Sequence, residues 1–516
     1  MTWEARLGQK GDDRVMPKND RTVALATGFL VFLASLAAGQ DPTDLARQHL
    51  ESGIQFYQQQ RYNQALNDFQ IIVSSMSTTE FADDALLRIG RYYLEVAEEF
   101  DKAKESFDTV LRNYPTGDAA PGAYYYLGEV IYHSDRTGRS LDDALANYQR
   151  VFLYPGNAWI PAALYSTGAA LERQRKFQEA VDAYFQVIVD HSRSDWAAGS
   201  RLGVGRSFVR QGEPLEAMAQ FQEVRNVHPG TQEAEAALDW LTLLFRFYGT
   251  RLLGQEVSFR RDTAFNPALR DKLKDVVAVR VSPAGIHVLE RDKKRVLTFD
   301  RQGKLGGSQQ AGDPYGLFID PRGELVVASE KAVVIEGKPV TFAVPSEKGP
   351  QPLEKLRWAA RDRLGDVFVY DDKEKKILRF SPGGELIGPF PDANPREVLT
   401  IEMDLAGNLV VLDKRDRDVS VFSPEGRVVS RIQTQKGQWA LKKAVDVAID
   451  PAGYLYVLDE DQAKIAVFDA AYQFVTLLGP PNLGGGVLSK PVSLDVDASG
   501  DLYVYDDKEK ALLHLH

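Results

Sequence analysis

The feature that most restricts the fold is a unit recurring through the second half of the chain, clearest in Asp450 to Asp469, DPAGYLYVLDEDQAKIAVFD. An apolar run ends in Pro-Ala-Gly, a second run (YLYVLD) follows at once, and a polar loop carrying Lys464 leads into a third, IAVFD. Pro and Gly set a tight turn, because Gly453 takes a positive φ without steric cost. The flanking Val, Ile, Leu and Tyr favour strands. Gly365, Gly407 and Gly500 open the matching runs VFVYD, LVVLD and LYVYD, and each of these four glycines has an Asp six residues on: Asp371, Asp413, Asp459 and Asp506. Nine residues past the first three stand Phe380, Phe422 and Phe468. Two looser copies surround Gly285 and Gly323, with Arg291 and Ser329 at the Asp position. Spacings of 38 to 47 residues are long enough for a four-stranded sheet. One such sheet cannot bury both faces; six arranged radially can, each packing on its neighbours.

The pattern P-x-G-x-[LV]-[YVF]-V-x-D, followed by an aliphatic run ending in Phe, resembles the NHL repeat. The resemblance covers about residues 276–516 and implies a six-bladed β-propeller. The last unit ends after three strands, SLDVD, LYVYD and ALLHL. Its outer strand is expected from residues 252–260, within the join at 251–275, where Glu256-Val-Ser-Phe-Arg260 reads as an isolated strand. Pairing the two ends of the domain would close the ring and remove an open edge.

Over residues 42–250 the apolar period changes from two to 3.6. Gly53, Gly90, Gly128, Gly168 and Gly205 recur at intervals of 37, 38, 40 and 37 residues. Ala65, Ala103, Ala144, Ala180 and Ala217 each precede an aromatic by four: Phe69, Phe107, Tyr148, Tyr184 and Phe221. Small residues at a helix crossing, with an aromatic filling the adjoining gap, are the packing logic of a helix-turn-helix repeat. These steps resemble the tetratricopeptide repeat, five units over about 45–230, with Glu233 to Tyr248 as a capping helix. The resemblance implies an α-solenoid whose first helices line a concave groove. Counting each Gly as the eighth repeat position, Tyr57, Arg91, Tyr125, Tyr132, Tyr165, Arg206 and Arg210 are candidates to face it. Tyr and Arg often anchor binding surfaces. The competing reading is inter-helix packing for each Tyr and a solvated helix face for each Arg. Carboxylate-binding members of the family use Lys and Asn where this chain has Leu50, Ile54, Leu87 and Arg91. That mode is therefore not expected here, and an apolar or acidic extended segment is the expected ligand.

Residues 1–40 read as an export signal. Val23 to Leu36 is an apolar run preceded by Lys18 and Arg21, short of the roughly 20 residues a membrane span needs. Ala37-Ala38-Gly39 suits cleavage, and Met16 is a plausible start. An uncleaved anchor is the alternative. There is no cysteine, so disulfides, thiolate metal sites, lipid attachment and cysteine nucleophiles are excluded. A net charge of −11 argues against nucleic acid as the main partner. Export of a cysteine-free protein points to a bacterial envelope, periplasmic or envelope-associated.

Some six-bladed propellers hold a metal on their axis. Here the propeller has only His287, His514 and His516, without ligand spacing. The recurring Asp could form a carboxylate ring for a hard cation, but an Asp at every strand end reads first as a turn cap. No nucleophile elbow or His-Glu-x-x-His is present, and Gly484-Gly485-Gly486 lacks the Lys and helix of a phosphate loop. The expected protein is therefore a non-enzymatic scaffold without cofactor, binding protein or peptide partners. A calcium-dependent propeller hydrolase or lyase is the competing class, and an anchored sensor ectodomain the third.

Overall fold

In the computed structural model, residues 41–135, 140–249, 257–265, 273–347, 349–393, 395–404, 406–483 and 488–516 are described. The segment read as an export signal, residues 136–139 of the third helical repeat, the first part of the closing-strand prediction (252–256) and Gly484 to Gly486 lie outside them. Two compact units are present, one ending at Gly203 and the other starting at Val204.

The first unit is built from helix pairs. Pro42–Gln58 (α1) pairs with Tyr62–Ser75 (α2), Ala82–Glu95 (α3) with Phe100–Asn113 (α4), Ala120–Ser134 (α5) with Leu141–Val151 (α6), and Ile160–Arg173 (α7) with Phe177–Asp190 (α8). Ala197–Gln211 (α9) carries the boundary between the units. The glycine step has a direct steric cause. A Cβ built at Gly53, Gly90, Gly128 or Gly168 would lie 2.3 to 2.6 Å from the ring of Phe69, Phe107, Tyr148 or Tyr184. The first helix of each pair must leave that space bare so that the second can seat its aromatic. The alanines one turn earlier, Ala65, Ala103, Ala144 and Ala180, are wholly buried at the same crossing.

The second unit begins with the end of α9, continues through Pro214–Val227 (α10), Gln232–Leu244 (α11) and a π turn at Phe245–Gly249, and ends in six sheets. The sheets are Val276–Ser282, Gly285–Glu290, Arg295–Phe299 and Leu305–Gln310 (β1–β4); Pro314–Ile319, Leu325–Ser329, Val333–Ile335 and Lys338–Val340 (β5–β8); Leu356–Arg361, Val367–Asp371, Lys376–Phe380 and Leu386–Pro389 (β11–β14); Val398–Met403, Leu409–Asp413, Asp418–Phe422 and Val428–Gln433 (β15–β18); Ala444–Ile449, Leu455–Asp459, Lys464–Phe468 and Phe474–Leu478 (β19–β22); and Pro491–Val496, Leu502–Asp506 and Ala511–Leu515 (β23–β25). A two-stranded ribbon, Ala343–Val344 and Gln351–Pro352 (β9, β10), follows the second sheet. The innermost strands contact one another in sequence from β1 to β23 and back to β1, which closes a six-bladed propeller.

Two kinds of Asp build every well-formed blade. Asp320, Asp362, Asp404 and Asp497 precede the turn glycines, and one carboxylate oxygen of each accepts two backbone N–H groups at 2.8 to 3.1 Å. The turn then needs a left-handed residue, and Gly323, Gly365, Gly407 and Gly500 supply it at φ of +79° to +82°. The strand-end Asp are turn caps as well. Asp506 accepts Lys508 and Glu509 N–H on one oxygen and Ser489 and Lys490 N–H on the other, and Asp413 does the same with Arg415, Asp416, Arg396 and Glu397. Each therefore ties a strand end to the chain entering its blade.

The register corrects one sequence assignment. In the first blade the residue equivalent to Asp371 is Glu290, not Arg291. Val276 pairs with Glu290 as Leu356 pairs with Asp371, because the first turn is one residue shorter after its glycine. Glu290 accepts Lys274 N–H at 3.0 Å, the same tie in longer form. Ring closure occupies a short stretch: Arg260 and His516 exchange backbone hydrogen bonds at 2.8 and 2.9 Å, and Asp262 N–H donates to His514 O at 2.9 Å. Phe259 also bridges Leu483.

Within the second unit, the helical tail packs on the turn ends of the fourth to sixth blades. Phe247 stacks on Tyr454, with centroids 5.2 Å apart and planes at 13°. Arg246 donates to Gly500 O and to Asp501 at 3.0 Å. Arg210 lies 3.4 Å from Asp404. This packing is why the compact division falls inside α9, whereas the sequence pattern ends the helical array near residue 250.

Candidate interaction surfaces

A charged stripe runs along α3. Asp84, Arg88, Arg91 and Glu95 fall at spacings of four, three and four, which puts them on one helical face. Arg91 donates to both oxygens of Glu95, at 3.2 and 3.3 Å, and sits 5.3 Å from the centre of the Tyr126 ring. The Tyr57 hydroxyl reaches across from α1 to the same carboxylate at 3.3 Å. Burial, then Glu95, pushes that phenol well above its ordinary pKa, so it stays a donor. Arg88 is half-buried, and its Nε has no hydrogen-bond partner. Burial, Asp118 and Asp83 push Asp84 up to about 6. A half-buried carboxylate held off its ordinary value beside a guanidinium with an unsatisfied Nε is the arrangement that marks binding sites more often than plain surface.

The stripe continues on α5 through Tyr126, Glu129 and His133. Tyr148 donates to Glu129 at 2.7 Å, and His133 lies 3.5 Å from it. Burial would raise Glu129, but His133, Tyr148 and Ser166 outweigh it and hold the carboxyl below its ordinary pKa. The units with Tyr in place of Phe thus each bury a hydroxyl and supply a Glu for it; Tyr184 donates to Glu172 at 2.7 Å.

The sequence-derived candidates separate on this surface. Tyr57 and Arg91 meet at Glu95. Tyr132 is half-buried, with the Arg173 guanidinium 5.4 Å from its ring and donating to its carbonyl at 2.6 Å, so Arg173 caps the end of α5. Tyr125 is a correction: it is only 4% exposed and stacks on Trp159 at 5.3 Å, so it packs successive repeats and presents nothing to a ligand. Tyr165 repeats that contact one unit on, against Trp196 at 5.0 Å, and is half-buried. In the second unit Arg210 is also a correction, since its guanidinium is spent on Asp404. Arg206 is half-buried and not free of partners. Arg88, Asp84 and Glu95 were missed by a search restricted to Tyr and Arg at fixed repeat positions; the spacing of charges along one helix carries the signal.

The propeller axis is filled by a guanidinium. Arg280, on β1, lies 2.5 Å from Glu402, 3.3 Å from Asp446 and 2.9 Å from Thr400, and is about 1% exposed. Asp446 also accepts from Ser493 at 2.6 Å. Burial raises Glu402 and Asp495 well above the ordinary carboxylate range, with Arg280 pulling the other way. Trp358 of the third blade has the Arg280 guanidinium 6.0 Å from its ring centre, and Phe318 and Ala360, on the innermost strands of the second and third blades, are buried. Comparing the residue five before each turn glycine exposes the signal: Arg280, Phe318, Ala360, Glu402, Ala448 and Asp495. Among the described residues no group of three His, Cys, Asp or Glu is placed to hold a metal ion. A groove between the fourth and fifth blades is lined by Lys414, Arg415, Lys442 and Lys443, which pair with Glu397, Asp461 and Glu460.

These features define a tetratricopeptide-repeat array followed by a six-bladed β-propeller. Tetratricopeptide-repeat family models match residues 84–117 and 136–198, and such repeats generally mediate protein–protein interaction. No curated protein matches the chain in sequence. Among solved structures, virginiamycin B lyase from Staphylococcus aureus is similar at 12% identity and a TM-score of 0.36, over 48% of this chain and 82% of that one. A gluconolactonase from Xanthomonas campestris is similar at 15% and 0.38, over 50% and 94%. The MamA protein is similar at 17% and 0.28, over 36% and 92%. At these identities and TM-scores the likeness transfers no activity to this chain. Among the described residues, no helix is long and apolar enough to cross a membrane.

Proposed function

We propose that the protein is a non-enzymatic interaction scaffold whose helical repeats capture an extended segment of a protein partner along the Asp84–Arg88–Arg91–Glu95 stripe. The observation that carries this reading is the Arg88 guanidinium, half-buried with an unsatisfied Nε beside a carboxylate pushed up to about 6. A partner carboxylate or backbone carbonyl would satisfy the first, and a partner N–H the second. The propeller serves as a second platform, NHL-like in its repeats. The occupied axis favours this over a propeller hydrolase or lyase, because Arg280 with Glu402 and Asp446 fills the space where such enzymes gather ligands. An envelope location fits the apolar run at Val23 to Leu36 and the cysteine-free composition.

A photo-crosslinking phenylalanine analogue in place of Tyr92, one turn from Arg88 along the same helix, tests the site in the full chain and leaves the guanidinium intact; position 189 is the control, where Val189 is 73% exposed. The expected result is a discrete crosslinked partner from position 92 that is lost with Arg88→Ala and absent from position 189. Equal crosslinking from both positions would reject the stripe as the capture surface.

A further inference from the structure

The C-terminal strand carries a histidine that no docking role uses. His514 is half-buried where three parts of the second unit meet. Its Nδ1 lies 3.1 Å from Asp262, on the segment that closes the ring, and its Nε2 lies 3.3 Å from Asp501, at the turn of the sixth blade. The other oxygen of Asp501 accepts from Arg246 of the helical tail at 3.0 Å. The ring stacks on Tyr503 at 4.6 Å and 8°, meets Phe265 edge-on at 5.6 Å, and has His516 at 5.7 Å. Tyr503 is in turn bonded to Arg301 and Asp497. Both nitrogens of the imidazole face carboxylates, so a neutral ring can donate to only one of them.

We propose that His514 is a proton-operated latch, which fastens ring closure and the helical tail together when charged and slackens both when neutral. Charge counting carries the argument. With an imidazolium, Asp262 and Asp501 are balanced by His514 and Arg246; without it, the two carboxylates share the Arg246 guanidinium, which bonds Asp501, and Asp262 loses the charged ring it faces. Among the described residues the backbone part of the closure is small, consisting of the Arg260–His516 pair, the Asp262 to His514 bond and the Phe259 to Asn482 bond. A lost side-chain tie is therefore a large fraction of what holds the edge. Burial alone would lower the imidazole's pKa, but Asp501 and Asp262 outweigh it and raise the group above its ordinary value. A raised histidine gives stability that is complete below the unfolded pKa of about 6.5 and is lost as pH rises through the folded one. The latch is thus closed below about pH 6.5 and opens as pH rises through the raised value of the ring.

The axial carboxylates need a control, because Glu402 is raised too and stability from that source also falls with rising pH. Amide exchange of the full chain between pH 5.5 and 8.5, corrected for intrinsic rates, reads the closure directly at Asp262 and His516, with Val410 in a blade core as reference. In the wild type the protection at Asp262 and His516 should fall by roughly tenfold for each pH unit by which His514 is raised, as its ring titrates by NMR. His514→Gln should hold that protection at the low level and make it independent of pH, whereas Glu402→Gln should leave the fall intact. Asp262→Asn serves if His514→Gln does not fold, and should move the His514 titration to lower pH. Protection that stays flat through the histidine titration, or falls equally in His514→Gln, would overturn the latch; so would a titration unmoved by Asp262→Asn.

Discussion

At the scale of single residues, two charged positions act on stability in opposite directions. Asp84 keeps a carboxylate where burial and two neighbouring Asp oppose its charge, so its proton is held up to about pH 6. A raised acid costs stability as pH rises from its ordinary 3.8 through the folded value. Asp84→Asn should therefore raise the melting temperature at pH 8 and leave it nearly unchanged at pH 4, and calorimetry at the two pH values measures the difference. A gain in stability with a loss of partner capture is what a binding residue predicts. Arg280 works in the opposite sense. Arg280→Met would strand Glu402, Asp446 and Asp495 in the interior, a loss of about 3–5 kcal/mol, seen as a lowered denaturant midpoint. Glu402→Gln in the same background should recover part of it.

Among elements, the repeating pieces were legible in the sequence and the exceptions were not. The Gly–aromatic step predicts the helix pairs because it is a steric requirement restated five times, and the turn Asp predicts the blades because backbone N–H groups need an acceptor at each turn. Arg291 was misplaced because one residue missing from a turn shifts a strand without altering its composition. Tyr125 and Tyr165 were read as groove residues because a repeat position does not say whether a Trp from the next repeat stands over it. Arg210 and Phe247 were invisible as propeller contacts, since helix periodicity says nothing of what a helix end meets. The tail they form is itself testable. Phe247→Ala, which removes the ring stacked on Tyr454, should cost about 3–5 kcal/mol if the tail and sheets unfold together. If the tail detaches alone, amide protection should drop in α11 and persist in β20, which distinguishes a docked element from an integral one.

For the whole molecule, the two halves differ in how they use buried charge. The helical repeats place ionic groups along a helix face, half-buried, while the propeller drives an ionic cluster to the centre and pairs its opposite charges there. A guanidinium at the hub, reached from blades on both sides, turns what could be a bore into a solid axle. A solute following the axis would have to part that ion cluster, which leaves the loops at the rims of the disc as the surfaces the sheets offer first.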